Sequence, residues 1–183
     1  MESYLTSIIK QFEYYKSLGD KTFNQLTFDE ISWQSSEDSN SISIIAKHMV
    51  GNMLSRWTNF LAEDGEKSWR NREDEFIASY TSKEDMIASW ESGWHCLFKG
   101  ITPLTTPDLE TIIYIRNEGH TVLEAINRQL AHYSYHIGQI VFLGKLLKGE
   151  DWESLSIPKG QSSTYNTKKF NQEKSRKHFT DDL

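Results

Sequence analysis

The stretch Gln129-Leu130-Ala131-His132-Tyr133-Ser134-Tyr135-His136-Ile137-Gly138-Gln139-Ile140 decides how this chain is read. Leu123, Ile126, Leu130, Tyr133, Ile137, Ile140 and Leu147 recur around it at three- and four-residue steps. That spacing predicts an amphipathic helix over about 122–148. Thr121-Val122-Leu123-Glu124 is a capping box at its start, and Gly149 is a natural stop. Within it, His132 and His136 stand four residues apart, which on a helix puts two imidazoles on one face, one turn apart.

Three further helices are predicted upstream. Leu5, Ile8, Phe12, Tyr15, Leu18, Thr22 and Leu26 give the first, over residues 3–26, weakened in its middle by Gly19. Residues 27–41 are polar and read as a loop whose Trp33 folds back onto the helices. Ser41 is an N-cap for the second helix, about 42–62, with Ile42, Ile45, Met49, Met53 and Phe60 as its stripe. Residues 63–81 form a charged connection whose Trp69 and Phe76 are expected to pack on the helices. Ser82-Lys83-Glu84-Asp85 opens the third helix, about 83–99, and Gly100 closes it. Pro103 and Pro107 force an irregular link. Thr111-Ile112-Ile113-Tyr114-Ile115-Arg116 is β-branched and aromatic, and Asn117-Glu118-Gly119 reads as a turn, so a short strand or hairpin fits before the last helix. The expectation is an all-α four-helix bundle. Residues 1–169 form one domain with a C-terminal extension, and 170–183 form a disordered tail.

Bulk properties narrow the function classes. The chain has 183 residues, enough for one domain with a real core. It contains no run of about 18 apolar residues, so no membrane-spanning helix is expected. Met1-Glu2-Ser3-Tyr4 does not open a signal peptide. A single cysteine, Cys96, suits a reducing cytoplasm and reads as a packed thiol rather than a nucleophile. A net charge of −6 argues against nucleic-acid binding by phosphate neutralisation.

His132 and His136 fall at the border between the apolar and polar faces of the last helix. His48 occupies a similar border on the second helix, roughly 120° from the centre of its stripe. Two imidazoles from one helix and one from another make a three-histidine site that leaves coordination positions open, as in catalytic zinc sites. Imidazole also suits nickel, cobalt and iron(II), so the metal is left open. Gln129, Gln139, Asn52 or backbone carbonyls are candidates to hold the rings' other nitrogens. The plain alternative is that these are ordinary histidines at the edge of a packed helix. His95, His120 and His178 are weaker ligand candidates.

Lys47-His48-Met49-Val50-Gly51-Asn52 and His132-Tyr133-Ser134-Tyr135-His136-Ile137-Gly138-Gln139-Ile140 resemble the DinB-like family of bacterial metalloproteins, which includes the YfiT-like proteins. Asn52-Met53-Leu54-Ser55-Arg56-Trp57, Asp64-Gly65-Glu66-Lys67 and Leu155-Ser156-Ile157-Pro158-Lys159-Gly160-Gln161-Ser162 resemble a branch of that family whose function is unassigned. The resemblance covers roughly residues 1–170. It implies a four-helix bundle with a metal held by His48, His132 and His136. It also implies thiol-dependent transferase chemistry on a small-molecule electrophile, with a bacillithiol-type thiol presented by the metal. Arg56, Arg70 and Arg72 would then hold carboxylates of the thiol cofactor. Alternatively they pair with Glu63, Asp64, Glu73 and Asp74. A homodimer is expected on the same grounds. The competing readings are a metal-dependent S-transferase, a non-catalytic metal- or ligand-binding interaction protein, and a bundle with no metal at all.

Overall fold

The computed structural model describes residues 2–181. The chain is mostly helical. Among the described residues six α-helices run in the order α1 (Glu2–Gln25), α2 (Phe28–Ser32), α3 (Ile42–Trp57), α4 (Lys83–Ile101), α5 (Val122–Lys148) and α6 (Ser162–Phe170). Between α4 and α5 lies an antiparallel hairpin, β1 (Ile112–Ile115) and β2 (Glu118–Thr121). The four long helices share one core: α1 packs along α5, α3 along α4, and the two pairs meet through α3 against α5 and α1 against α4. No helix among the described residues is long and apolar enough to cross a membrane.

The core is aromatic at its centre. Phe12 of α1, Trp90 and Trp94 of α4 and Tyr133 of α5 are fully buried. Phe12 and Tyr133 each meet Trp94, with ring centroids 6.4 Å and 5.9 Å away, and Trp90 and Trp94 lie 5.4 Å apart. Edge-to-face pairs of this kind add about 0.5–1.5 kcal/mol each beyond the area they bury. Two polar links, one half-buried and one buried, fix the rotation of the helices. Trp90 Nε1 donates to Asp20 Oδ1 at 2.8 Å. Trp57 Nε1 donates to Tyr133 Oη at 3.2 Å, and that hydroxyl donates to Asn52 Oδ1 at 3.0 Å. The second link ties α3 to α5, the two helices that carry the histidines.

Several boundaries differ from the sequence expectation, each for a local reason. The loop over 27–41 contains α2, opened by a capping box in which Glu30 N–H donates to Thr27 Oγ1 and Thr27 N–H donates to Glu30 Oε2. The second expected helix stops at Trp57 rather than 62, where the chain turns through Asn59 at a φ of 48°. The hairpin turn is Arg116-Asn117, not Asn117-Glu118-Gly119. Both residues have positive φ, 57° and 62°, and Ile115 pairs with Glu118. Two consecutive positive-φ residues make the primed turn that matches strand twist. Ile113 and Ile115 face inward and set that register. Trp69, expected to pack, is 58% exposed.

The extension beyond α5 includes α6, which the sequence did not suggest. The last described residues lie along α1. His178 Nε2 is 3.0 Å from Ser7 Oγ, Phe179 meets the Tyr14 ring edge-on, and Asp181 pairs with Lys10. Residues 182 and 183 of the expected tail lie outside the described residues.

The close approach of α3 and α4 depends on Gly93. A Cβ there would stand 3.2 Å from Val50 Cα, a backbone atom that cannot move aside alone. Gly93→Val is expected to destabilise the fold by about 1–3 kcal/mol through overpacking. The check is the midpoint of urea unfolding; an unchanged midpoint would contradict this packing.

Candidate metal centre

The histidines come from helices whose ends are fixed locally. Ser41 Oγ accepts from Ile44 N–H at the start of α3, and Thr121 with Glu124 forms the reciprocal capping box at the start of α5. His48 lies in the second turn of α3, and His132 and His136 stand one turn apart on α5. His48 is 7% exposed, whereas His132 and His136 are half-buried. The deeper burial of His48 reflects a cover that its helical position did not reveal: the turn Glu73–Phe76 packs against α3.

The structure brings His48, His132 and His136 together. Nε2 of His132 lies 3.3 Å from Nε2 of His48 and 3.0 Å from Nε2 of His136. One nitrogen from each ring falls within 4.8 Å of the other two. The rings meet edge to face, with centroids 4.7–5.4 Å apart. Nitrogens bound to one ion at about 2.1 Å sit roughly 3.0 Å apart at right angles and roughly 3.4 Å apart in a tetrahedron. The two separations at His132 fall in that range and the third pair lies within 4.8 Å, so the donor set could hold a divalent ion.

Proton bookkeeping points the same way. Nδ1 of His48 lies 2.9 Å from Glu75 Oε2. A carboxylate only accepts, so Nδ1 carries the hydrogen and Nε2 of a neutral ring presents its lone pair to the cluster. Burial first, then the neighbouring imidazoles His136 and His48, push His132 down to about 3. Burial first, then His48, push His136 down to about 4. Both rings are therefore neutral near pH 7, the form that binds metals.

Glu75 is the residue that sequence reading missed. It is 5% exposed and lies between His48 and Arg70. Arg70 grips it with two parallel bonds, Nε to Oε1 at 2.7 Å and a terminal nitrogen to Oε2 at 2.9 Å. Burial alone pushes its carboxyl upward, but the hydrogen bonds from His48 and Arg70 and the Arg70 charge outweigh that and hold it below the usual carboxylate value. Gly51 makes room for it, since a Cβ there would come within 2.3 Å of Glu75 Oε1. Phe76 stacks on the His48 ring with centroids 4.9 Å apart. The available signal was a carboxylate near Arg70 in a segment expected to pack, since a metal-binding imidazole usually donates its other nitrogen to a carboxylate or carbonyl. The expected partners serve elsewhere or differently: Asn52 accepts from Tyr133, and Gln139 lies beside His136.

The three sequence-selected arginines all line a cavity of about 230 Å³ that opens beside His48 and His132. Two are already held. Arg56 donates to Gly65 O and, at 3.1 Å, to Glu66 Oε2; Arg70 is bound to Glu75. Arg72 is half exposed, lies over the Phe76 ring at 5.5 Å and reaches Glu73 only at 3.8 Å. Arg116 and Arg128 join the lining and were not selected from sequence. His95, His120 and His178 are not part of the cluster. Cys96 is half-buried, with Sγ 3.5 Å from Thr58 Oγ1.

The depressed histidines give a pH signature. Both pKa values lie well below the ordinary 6.5, so their contribution to stability is complete above about pH 6.5. Below that, the unfolded chain binds protons that the folded chain refuses until about pH 4 for His136 and about pH 3 for His132, and stability is lost across that window. In metal-free protein the urea midpoint is expected to fall between about pH 7 and about pH 5. The fall is expected to be smaller in the His132→Gln/His136→Gln double variant. An equal fall in both proteins would contradict buried neutral rings.

Comparison with known proteins adds one match. The model of a family described as Protein of unknown function (DUF1572) matches residues 1–161. No curated protein matches the chain.

Proposed function

The chain belongs to the DUF1572 family, and we propose that it is a divalent-metal-binding protein acting as a thiol-dependent S-transferase on small electrophiles. The observation that carries this reading is the convergence of three imidazole nitrogens beside an open, arginine-lined cavity. We read the four long helices as a DinB-like four-helix bundle, with His48, His132 and His136 as the ligands. Zinc, nickel and iron(II) all suit such a donor set. A bound ion would supply Lewis acidity, lowering the pKa of a bacillithiol-type thiol so that a nucleophile is available at neutral pH.

The chain's own groups support that chemistry. Glu75 fixes the tautomer and orientation of His48 and is itself fixed by Arg70. The low pKa values of His132 and His136 keep protons from competing for the ring nitrogens at neutral pH. The cavity beside His48 and His132 gives a small molecule access to the cluster from one side. The same reading takes a small molecule as partner, a homodimer as assembly and, from the single Cys96, the cytoplasm as compartment.

One observation favours a second reading. Arg56 and Arg70 are committed to Glu66 and Glu75, so only part of the expected grip on a thiol cofactor is free. A metal-binding protein that senses or carries a ligand without turnover needs no such grip. The deciding assay follows metal-dependent consumption of electrophiles with a panel of low-molecular-weight thiols. The transferase reading expects turnover by metal-loaded protein and its loss, together with the metal, in His132→Ala. Absence of metal-dependent turnover across the panel would leave the non-catalytic reading.

A further inference from the structure

The stretch Lys168-Lys169-Phe170-Asn171-Gln172-Glu173-Lys174-Ser175-Arg176-Lys177 holds five cations and one acid, in a chain whose net charge is −6. It begins in the last turn of α6, beyond residue 161 where the family match ends. Lys168, Lys174 and Arg176 are exposed and have no ion pair among the described residues. The positive charge is therefore concentrated at one place on an otherwise acidic chain. A block of like charge of this kind is commonly an interaction segment.

Apolar side chains stand exposed among these cations. No residue of α6 is buried. Phe170 is 84% exposed and Ile157 is 41% exposed. Ile157 shares a cavity of about 430 Å³ with Pro158, Tyr165 and Lys168. The segment is held at both ends by α1. Gln25 Nε2 donates to Glu153 O at 3.1 Å, and Glu153 N–H donates to Gln25 Oε1 at 2.8 Å. At the other end His178 lies against Ser7, and Asp181 is committed to Lys10. From Ser7 to Gln25 is roughly 27 Å along the helix at 1.5 Å per residue. A basic stretch fixed at two points has less freedom to lose on binding than a loose tail.

Two kinds of polyanion attract such a segment. Single-stranded nucleic acid uses exposed aromatic faces as stacking platforms. Here Lys169 Nζ already lies over the Tyr165 ring at 5.6 Å, and Ile157 has no flat face to offer a base. Aliphatic and phenyl groups set among cations suit the boundary between headgroups and acyl chains, where charge attracts and apolar groups insert. We propose that the C-terminal extension, residues 157–177, is a peripheral docking surface for membranes rich in anionic phospholipid. The cations supply the attraction, and Phe170 and Ile157 enter the interface. This surface is independent of the metal reading and of the imidazole cluster.

The test is flotation of the full-length protein with vesicles of phosphatidylglycerol and phosphatidylcholine in equal parts, and with vesicles of phosphatidylcholine alone. The mixed vesicles are expected to carry the protein, the neutral ones to leave it behind, and raised salt to release it. Lys168→Gln/Lys174→Gln/Arg176→Gln is expected to weaken binding about a hundredfold, the combined worth of three cations near the surface. Phe170→Ser, which leaves the charge unchanged, is expected to weaken it about tenfold. All four positions are exposed, so both variants should keep the wild-type urea midpoint. Protein that stays behind with mixed vesicles, floats equally with neutral ones, or keeps its affinity in the triple variant would overturn the assignment. Unchanged affinity in Phe170→Ser would exclude insertion and with it a lipid surface as the partner. Tighter binding to a single-stranded RNA oligomer than to the mixed vesicles would overturn it in favour of nucleic acid.

Discussion

The carboxylate of Glu75, buried between His48 and Arg70, is the contact on which the site depends. A charge taken out of water is costly unless it is paired and its oxygens are filled. Here Arg70 fills both oxygens from one side and His48 Nδ1 closes the third bond. Removing any member would strand the others, so the three hold each other in place. The segment that supplies Glu75 must therefore lie against α3, and Gly51 is the gap that lets it do so. The same contact decides which nitrogen of His48 faces His132.

That segment is in turn anchored to the hairpin. Asp64 accepts from the backbone N–H groups of Glu66, Arg116 and Asn117, and Gly65 N–H donates to Tyr114 O. Ser55 donates to Gly65 O from the α3 side. Glu66 then gathers Arg56, Arg70 and Arg116 on one carboxylate oxygen. A two-stranded hairpin is marginal alone in water; here it acts as a fixed wall that brings Arg116 to the cavity. The left-handed turn at Arg116 and Asn117 is thus part of the site's construction.

What the sequence made legible follows from period and spacing. The 122–148 helix was readable in full because its capping box, apolar stripe and terminal glycine agree. His132 and His136 share a face by helical arithmetic alone. His48 was harder to read, because its border position on α3 says nothing of the Glu73–Phe76 turn that buries it. Glu75 stands 27 residues from His48 through a loop without period, so no local rule pairs them. Of the arginine pairs expected with neighbouring acids, Arg72 meets Glu73 at 3.8 Å, whereas Arg56 reaches Glu66 and Arg70 reaches Glu75 and Glu66, chosen by the fold of the loop. Thr27-Phe28-Asp29-Glu30 carried a capping box in plain view, but the helix behind it is one turn long and has too few apolar positions to show a stripe.

The role of the site turns on whether three imidazoles at these separations hold an ion. The measurement is elemental analysis of protein purified without an affinity tag, followed by titration with zinc, nickel and iron(II). About one equivalent of divalent metal per chain is expected, reduced to background in His132→Ala. Wild-type protein that carries no metal and takes up none of the three would contradict it, and would leave the histidines as packed side chains held by Glu75 and Phe76.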